Sequence, residues 1–469
     1  VTRDIAIQTA SAYFDNGGFV RDLGRRVTFR TASEAEDSVG VLSDFLEQEL
    51  RPELASLGFE VRAFANPVAG CGPYLIAERI ENEALPTVLL YGHGDVIQGQ
   101  DASWQPGLSP WELKVVGDKI YGRGTADNKG QLTVNLGALR AAMEARQNKL
   151  GFNTRIIVET AEERGSPGLN TFCAVHANEL KADLFIASDG PRLNAQTPTL
   201  FLGSRGIQNF ELTLTLREGA HHSGNWGGLL RNPGTVLASA ISTLVDAQGV
   251  IKTPLLRPSS IPASVRESIS ALPIGGNPGD PIVDADWGEP GLSAAERVFA
   301  WNTLEVLGME CGNVRKAIGA IPPTAKAVLQ LRYVVGTDLD DIEAKLQQHF
   351  INAGLPWVKV NASIAMAATR LDPEHPSVIQ AARSIQTTTG TKPAILPNLG
   401  GTIPNDAFSE VLGLPTVWVP HSYPACSQHA PNEHILGSIA REGLQIMAGL
   451  FWDLGEPGGA FFEQKKTCA

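Results

Sequence analysis

The clearest pattern along the chain is a set of short apolar runs that stop abruptly at glycine, histidine or acidic residues. Val88-Leu89-Leu90-Tyr91 stops at Gly92-His93-Gly94-Asp95. Such a run, bounded by turn residues, predicts a buried strand. Strands are also predicted around 59–65 and 74–78, at 155–160 and at 182–187. Residues 1 to about 55 read as helical, with Val39, Val41, Leu42, Phe45 and Leu46 on one side of a helix over 35–54. Further helices are predicted at 131–145 and 169–180. Strands alternating with helices imply an α/β fold, a mostly parallel sheet flanked by helices.

The grammar changes near Gly206. The stretch NFELTLTL, 209–216, alternates as a half-exposed strand does. Alternating strands at 325–335 and 357–365 and helices at 234–245 and 338–349 describe a smaller antiparallel α+β domain. A Pro- and Gly-rich stretch, 272–290, is its long loop. From Pro376 the first pattern returns, with a helix to Thr388, a strand near Ala394, a strand at 416–419 and a last helix from Ile435. The expected organisation is one domain in two parts, 1–207 and 373–469, interrupted by a domain over 208–372.

A length of 469 residues exceeds what one core usually supports. The net charge of −12 argues against a nucleic-acid partner. No apolar run approaches the ~20 residues that span a bilayer. The first residues mix charged and apolar types, unlike a signal peptide. The chain begins at Val1 without an initiator methionine, which leaves room for a removed segment. Cys71, Cys173, Cys311, Cys426 and Cys468 are scattered, odd in number and never spaced CxxC. That disfavours a disulfide framework and a cysteine zinc site. Reduced thiols in a cytoplasmic protein are expected, and a metal would have to use His and carboxylates.

Four of the apolar runs lead to such residues. Val88–Tyr91 leads to His93 and Asp95. The run at 156–158 leads to Glu159, Glu162 and Glu163, the run at 184–187 to Asp189, and the run at 417–419 to His421 and His429. Asp127 lies in a separate glycine-rich turn. Each alone has an ordinary explanation: a hydrogen-bonded strand-end histidine, a solvated Glu-Glu pair, an aspartate that forms a turn. Together they point to a metal site, because open α/β sheets place their sites beyond the carboxyl ends of the strands. His93 and Asp95, two apart, point to one side of an extended strand, so Asp95 could hold the non-ligating nitrogen of His93. Of Glu162 and Glu163, one can bind metal while the other faces water as a base. Two divalent ions bridged by one carboxylate would activate that water.

These residues sit in motifs that resemble the di-zinc aminoacylase and carboxypeptidase family. That family includes bacterial glutamate carboxypeptidase, carnosinase-like dipeptidases and succinyl-diaminopimelate desuccinylase. The motifs are GHGDVI (92–97), YGRGTADNKG (121–130), EERGSPG (162–168), SDG (188–190), GSRG (203–206), HSGNWGG (222–228), GGTIP (400–404) and HAPNE (429–433). They run in the family's order over nearly the whole chain, and the length is most like the dipeptidase branch. The resemblance implies two Zn2+ ions, with Co2+ or Mn2+ as substitutes. His93 and Asp189 would hold one, Glu163 and His429 the other, and Asp127 would bridge. It implies Glu162 as general base and proton donor, Asp95 as the partner of His93, and a cis peptide at Asp127–Asn128. It further implies that the inserted domain is a lid and homodimerisation surface. His222 would reach the partner subunit's site to hold the oxyanion, Arg332 would bind a substrate carboxylate, and Gly400, Gly401 and Thr402 would line the cleft.

The chain departs from the family pattern at Gln98, at Thr160-Ala161, at Gly319 and at Asn398-Leu399. The last two fall where substrate is held. The expected reaction is hydrolysis of a linear amide in a dipeptide or N-acyl amino acid. A carbamoyl or aryl amide or amine at the same site is the alternative. A degenerate, non-catalytic binding protein would lack a ligand or the base, and all six residues are present. No nucleic-acid or membrane partner is expected.

Overall fold

In the computed structural model, which describes residues 2–276, 280–457 and 460–462, the apolar runs become neighbours in one sheet. Strands β1 (Glu60–Phe64), β2 (Tyr74–Arg79), β3 (Thr87–His93), β4 (Lys114–Val116), β5 (Lys119–Tyr121), β6 (Asn153–Glu159), β7 (Leu184–Ala187) and β8 (Thr199–Phe201) come first. Then follow β9 (Gly206–Thr215), β10 (His221–His222), β11 (Thr303–Glu310), β12 (Ala320–Ile321), β13 (Thr324–Tyr333) and β14 (Lys359–Met366). Strands β15 (Ala394–Leu396), β16 (Thr416–Trp418) and β17 (His434–Leu436) complete the set. The chain divides into two compact units. One comprises the residues up to Gly203, Leu371–Leu396 and those from Ile403 on; the other is Ser204–Arg370 with Pro397–Thr402.

The first unit holds an eight-stranded sheet in the order β1-β2-β6-β3-β7-β16-β8-β15. Its middle, β6-β3-β7-β16, is parallel throughout. Tyr91 lies level with Ile157 and Ala187, and Ala187 with Trp418, so four strands end together along one edge. A strand covered on both faces needs apolar residues at consecutive positions, which explains why Val88 to Tyr91 are all buried. Helix Lys129–Ala145 is buried on nearly every side. It packs against helix Gly437–Leu454. A helix enclosed in this way has no solvent face to carry a polar stripe.

The second unit holds an antiparallel sheet, β11-β13-β9-β14. Buried and half-exposed positions alternate along β13, as expected of a sheet with one face on a core. Pro397–Thr402 was expected with the α/β domain but belongs to this unit. Ser204 bridges to Leu399, and the Arg205 N–H donates to the Leu399 carbonyl at 3.2 Å.

Three local expectations change. Leu42, Phe45 and Leu46 are buried, but Val39 and Val41 are 39% and 37% exposed. At about 100° per residue the first three form one stripe and the two valines fall on either side of it. The last helix begins at Gly437, not Ile435, because His434–Leu436 pairs with β5. The helix expected over 169–180 stops at Val175. The expected loop at 272–290 contains residues 277–279, which lie outside the described residues. Cys71, Cys173, Cys311 and Cys426 are free; Cys468 lies outside the described residues.

Candidate metal centre

The shared edge of β6, β3, β7 and β16 concentrates the acidic residues and histidines. His93 is the last residue of β3, Glu162 and Glu163 form a single turn just after β6, and Asp189 follows β7 by two residues. His429 returns on the loop after β16. Two groups of side chains converge closely enough to hold a cation: His93, Asp127 and Asp189, and Asp127, Glu163 and His429. Asp127 belongs to both. Its Oδ1 is 2.9 Å from His93 Nε2, and its Oδ2 is 3.0 Å from His429 Nε2. Asp189 Oδ2 lies 3.6 Å from His93 Nε2, and Glu163 Oε2 lies 3.0 Å from His429 Nε2. Glu162 stands beside the first group, its Oε2 3.8 Å from His93 Nε2, without belonging to either.

The local backbone explains these positions. The turn before Asp127 passes through Gly124 at φ 85°, a left-handed conformation that favours glycine. A Cβ at Gly130 would come within 1.9 Å of the Thr125 carbonyl oxygen, so the helix start can approach the turn only with glycine there. The peptide bond Asp127–Asn128 is cis. His429, at φ 59°, occupies a sparsely populated region for a non-glycine residue.

Asp95 does more than the sequence suggests. His93 Nδ1 faces the Asp95 backbone carbonyl at 3.1 Å and its carboxylate at 3.4 Å. The same carboxylate accepts from the backbone N–H of Glu162 at 3.2 Å and of Glu163 at 3.1 Å. One buried residue therefore holds the histidine and, through its carboxylate, the backbone of both glutamates.

Five carboxylates, those of Asp95, Asp127, Glu162, Glu163 and Asp189, face two imidazoles here, and the charges show it. Burial disfavours a proton on His93, but its bonds to Asp127, Asp189 and Asp95 hold its pKa well above the usual histidine value. Asp127 and Glu163 raise His429 to about 11. Burial raises Glu163 to about 7, with Asp127 adding to it. Burial raises Glu162 further, and Asp189, Asp127 and Glu163 add to that against the pull of His93. A site that gathers protons on imidazoles and carboxylates alike carries more negative charge than its own residues offset. Divalent cations bound here would supply that charge and displace the protons. The donor set, nitrogen and oxygen without sulfur, suits zinc, cobalt or manganese.

Two residues depart from the sequence reading. His421 does not join the cluster. It is buried against Gly443 of the last helix, neither ring nitrogen has a hydrogen-bond partner among the described residues, and burial pushes its pKa well below the usual value. Glu433 was not singled out, yet it builds the Asp127 turn. Its carboxylate accepts from the backbone N–H groups of Gly124, Ala126 and Asp127 at 2.9–3.1 Å and from Arg123 Nη1 at 2.8 Å. The signal was the acid closing HAPNE, but its partners lie about 310 residues earlier. Glu433→Ala strands Arg123, which is 1% exposed. Breaking a buried pair costs about 3–5 kcal/mol, so denaturant unfolding should register a loss of that size; a loss under about 1 kcal/mol contradicts this role.

In the second unit Arg332 projects from β13. Its Nη1 donates to Thr402 Oγ1 at 2.9 Å and its Nε to Gln330 Oε1 at 3.0 Å. Among the described residues it has no ion-pair partner, and burial lowers its pKa. His222 is exposed on β10, paired with Ala320 of β12, and its Nδ1 accepts from the Gly224 N–H at 3.1 Å.

The geometry joins two groups of potential cation ligands through one shared carboxylate. Residues 89–453 match the peptidase family M20/M25/M40, and the chain belongs to that family. It is a metallopeptidase. It is 26% identical to a human beta-Ala-His dipeptidase over 411 residues, covering 82% of this chain and 78% of the relative. It is 29% identical to a cysteinylglycine-S-conjugate dipeptidase of Corynebacterium striatum over 337 residues, covering 68% and 70%. Among solved structures it is similar to an M20 metallo-carboxypeptidase from Sulfolobus solfataricus, with a TM-score of 0.77 and 26% identity, covering 93% of this chain and 99% of that one. Among the described residues no helix is long and apolar enough to cross a membrane.

Proposed function

We propose that the protein hydrolyses dipeptides or closely related N-acyl amino acids, with two zinc ions held by His93, Asp189, Glu163, His429 and the shared Asp127. The observation that carries this reading is the shared position of Asp127 between two ligand groups. Both curated relatives described above are dipeptidases. When bound, a pair of divalent ions lowers the pKa of a water from 15.7 toward ~7 and polarises the carbonyl to be attacked.

The chain's own residues supply the rest. Glu162 takes the proton of the attacking water on its carboxylate and returns it to the leaving amine. Asp95 keeps Glu162 and Glu163 at their posts through their N–H groups. Arg332 binds the substrate's free carboxylate, and its freedom from any acidic partner among the described residues supports that role. Gly400, Gly401 and Thr402 line the substrate, and His222 acts on the oxyanion in the partner subunit. A homodimer through the second unit is supported by edge strand β11, whose Val306, Leu307 and Met309 are about half exposed, an apolar edge of the kind that other chains cover. The protein works in the cytoplasm with reduced thiols.

A screen of dipeptides and N-acyl amino acids with zinc-reconstituted protein tests the reading. Release of free amino acid from at least one class is expected, and inactivity on both contradicts it. Arg332→Ala should raise KM for substrates with a free carboxylate by about 10–100-fold, the loss of a charged hydrogen bond of about 1.5–3 kcal/mol, while leaving amidated substrates unaffected. An equal effect on both would remove Arg332 from carboxylate binding.

A further inference from the structure

A cavity of about 290 Å³ lies wholly within the second unit, at the small end of ligand pockets. Its walls include Trp287, Ile274, Val298 and Leu304, and its polar lining includes Arg205 and Trp301. Arg205 is only 6% exposed. Its Nη2 is committed to Thr303 Oγ1 and the Arg332 carbonyl, both at 3.0 Å, but its Nε donates to nothing among the described residues. The indole N–H of Trp301 is likewise buried without an acceptor. Buried N–H groups are nearly always paired, so two orphans among the residues that line one cavity mark an acceptor that arrives from outside.

Asp284, Glu289 and Glu305 line the cavity with Arg205 and Arg297, and the buried guanidinium with an unused N–H favours an anionic acceptor. No carboxylate forms an ion pair with Arg205 among the described residues, although Glu305 lies close enough to favour its charge. Glu289, also in the lining, is already engaged by Arg257 at 2.9 Å. Arg297 is spent on the backbone carbonyls of Glu289 and Trp287. The ring of Trp287 is seated on Gly249, where a Cβ would come within 2.6 Å of it. That packing presents a fixed aromatic wall.

We propose that this cavity is a binding site for a small organic acid with a flat or branched apolar body, separate from the metal ligands. Its carboxylate accepts from Arg205 Nε and Trp301 Nε1, and its body packs on Trp287, Ile274, Val298 and Leu304. Free apolar amino acids and their deaminated counterparts share this chemistry.

The test is calorimetric titration of the metal-loaded full chain with phenylacetate, phenylalanine and the neutral phenylacetamide. Saturable binding of one molecule per chain is expected for at least one of the two acids, and the tighter of them identifies the source. Phenylacetamide should bind at least about tenfold more weakly. Arg205→Met should weaken the acid by about tenfold or more and Trp301→Phe by about threefold or more. Val298→Trp, which fills the cavity and leaves Arg205 in the sequence, should abolish binding and keeps the test decisive if Arg205→Met fails to fold. Removing metal with a chelator should change affinity by less than about twofold. The proposal is overturned by no saturable binding of either acid, by binding that Val298→Trp leaves intact, or by binding that is lost with the metal.

Discussion

Glu162→Gln is expected to keep its full metal content and to lose about 10²–10⁴ in kcat, the usual worth of a positioned general acid–base. The variant preserves side-chain size, and Glu162 belongs to neither group of cation ligands, so metal should stay. Its backbone is held by Asp95, so the turn should stay too. What is lost is the oxygen that receives and returns a proton. Steady-state kinetics with metal analysis on the same sample separates the two effects. Near-normal turnover, or loss of a metal, contradicts the assignment of Glu162 as base.

The second large effect belongs to Asp127. Asp127→Asn keeps the outline of the side chain but turns one oxygen into an amide nitrogen, which cannot serve as a ligand. Because one oxygen faces His93 and the other faces His429, either orientation of the amide spoils one of the two groups. Metal content should fall from two ions per chain to one or fewer, and kcat by about 10³ or more, because a whole group of cation ligands is spoiled. Asp189→Asn and Glu163→Gln, each in one group only, should each weaken one ion and spare the other. A fully loaded, active Asp127→Asn protein would remove the shared carboxylate from the account.

Much of this was legible in the sequence because it is written locally. Each strand that carries the site is a short apolar run with potential cation ligands at its carboxyl end, and parallel packing brings such ends together without further instruction. His93, Asp127, Glu162, Glu163, Asp189 and His429 do converge. What was not legible depends on distant partners. His421 has the same position after a strand as a ligand does, yet faces the last helix. Glu433 looks like any loop acid until the Arg123–Asp127 turn reaches it. Ile435 continues a helical pattern, but the β4–β5 hairpin captures it as a strand. The Asp95 carboxylate bonds to two backbone N–H groups, which leave no trace in residue type.

The proposed two-ion centre depends on Asp127. The most direct measurement is a zinc titration of chelator-stripped protein, following dipeptide hydrolysis and bound metal together. Activity should develop fully only as two zinc ions bind per chain, and Asp127→Asn should bind one or fewer with activity near background. Full activity at one equivalent, or two ions bound without Asp127, would contradict the two-ion centre.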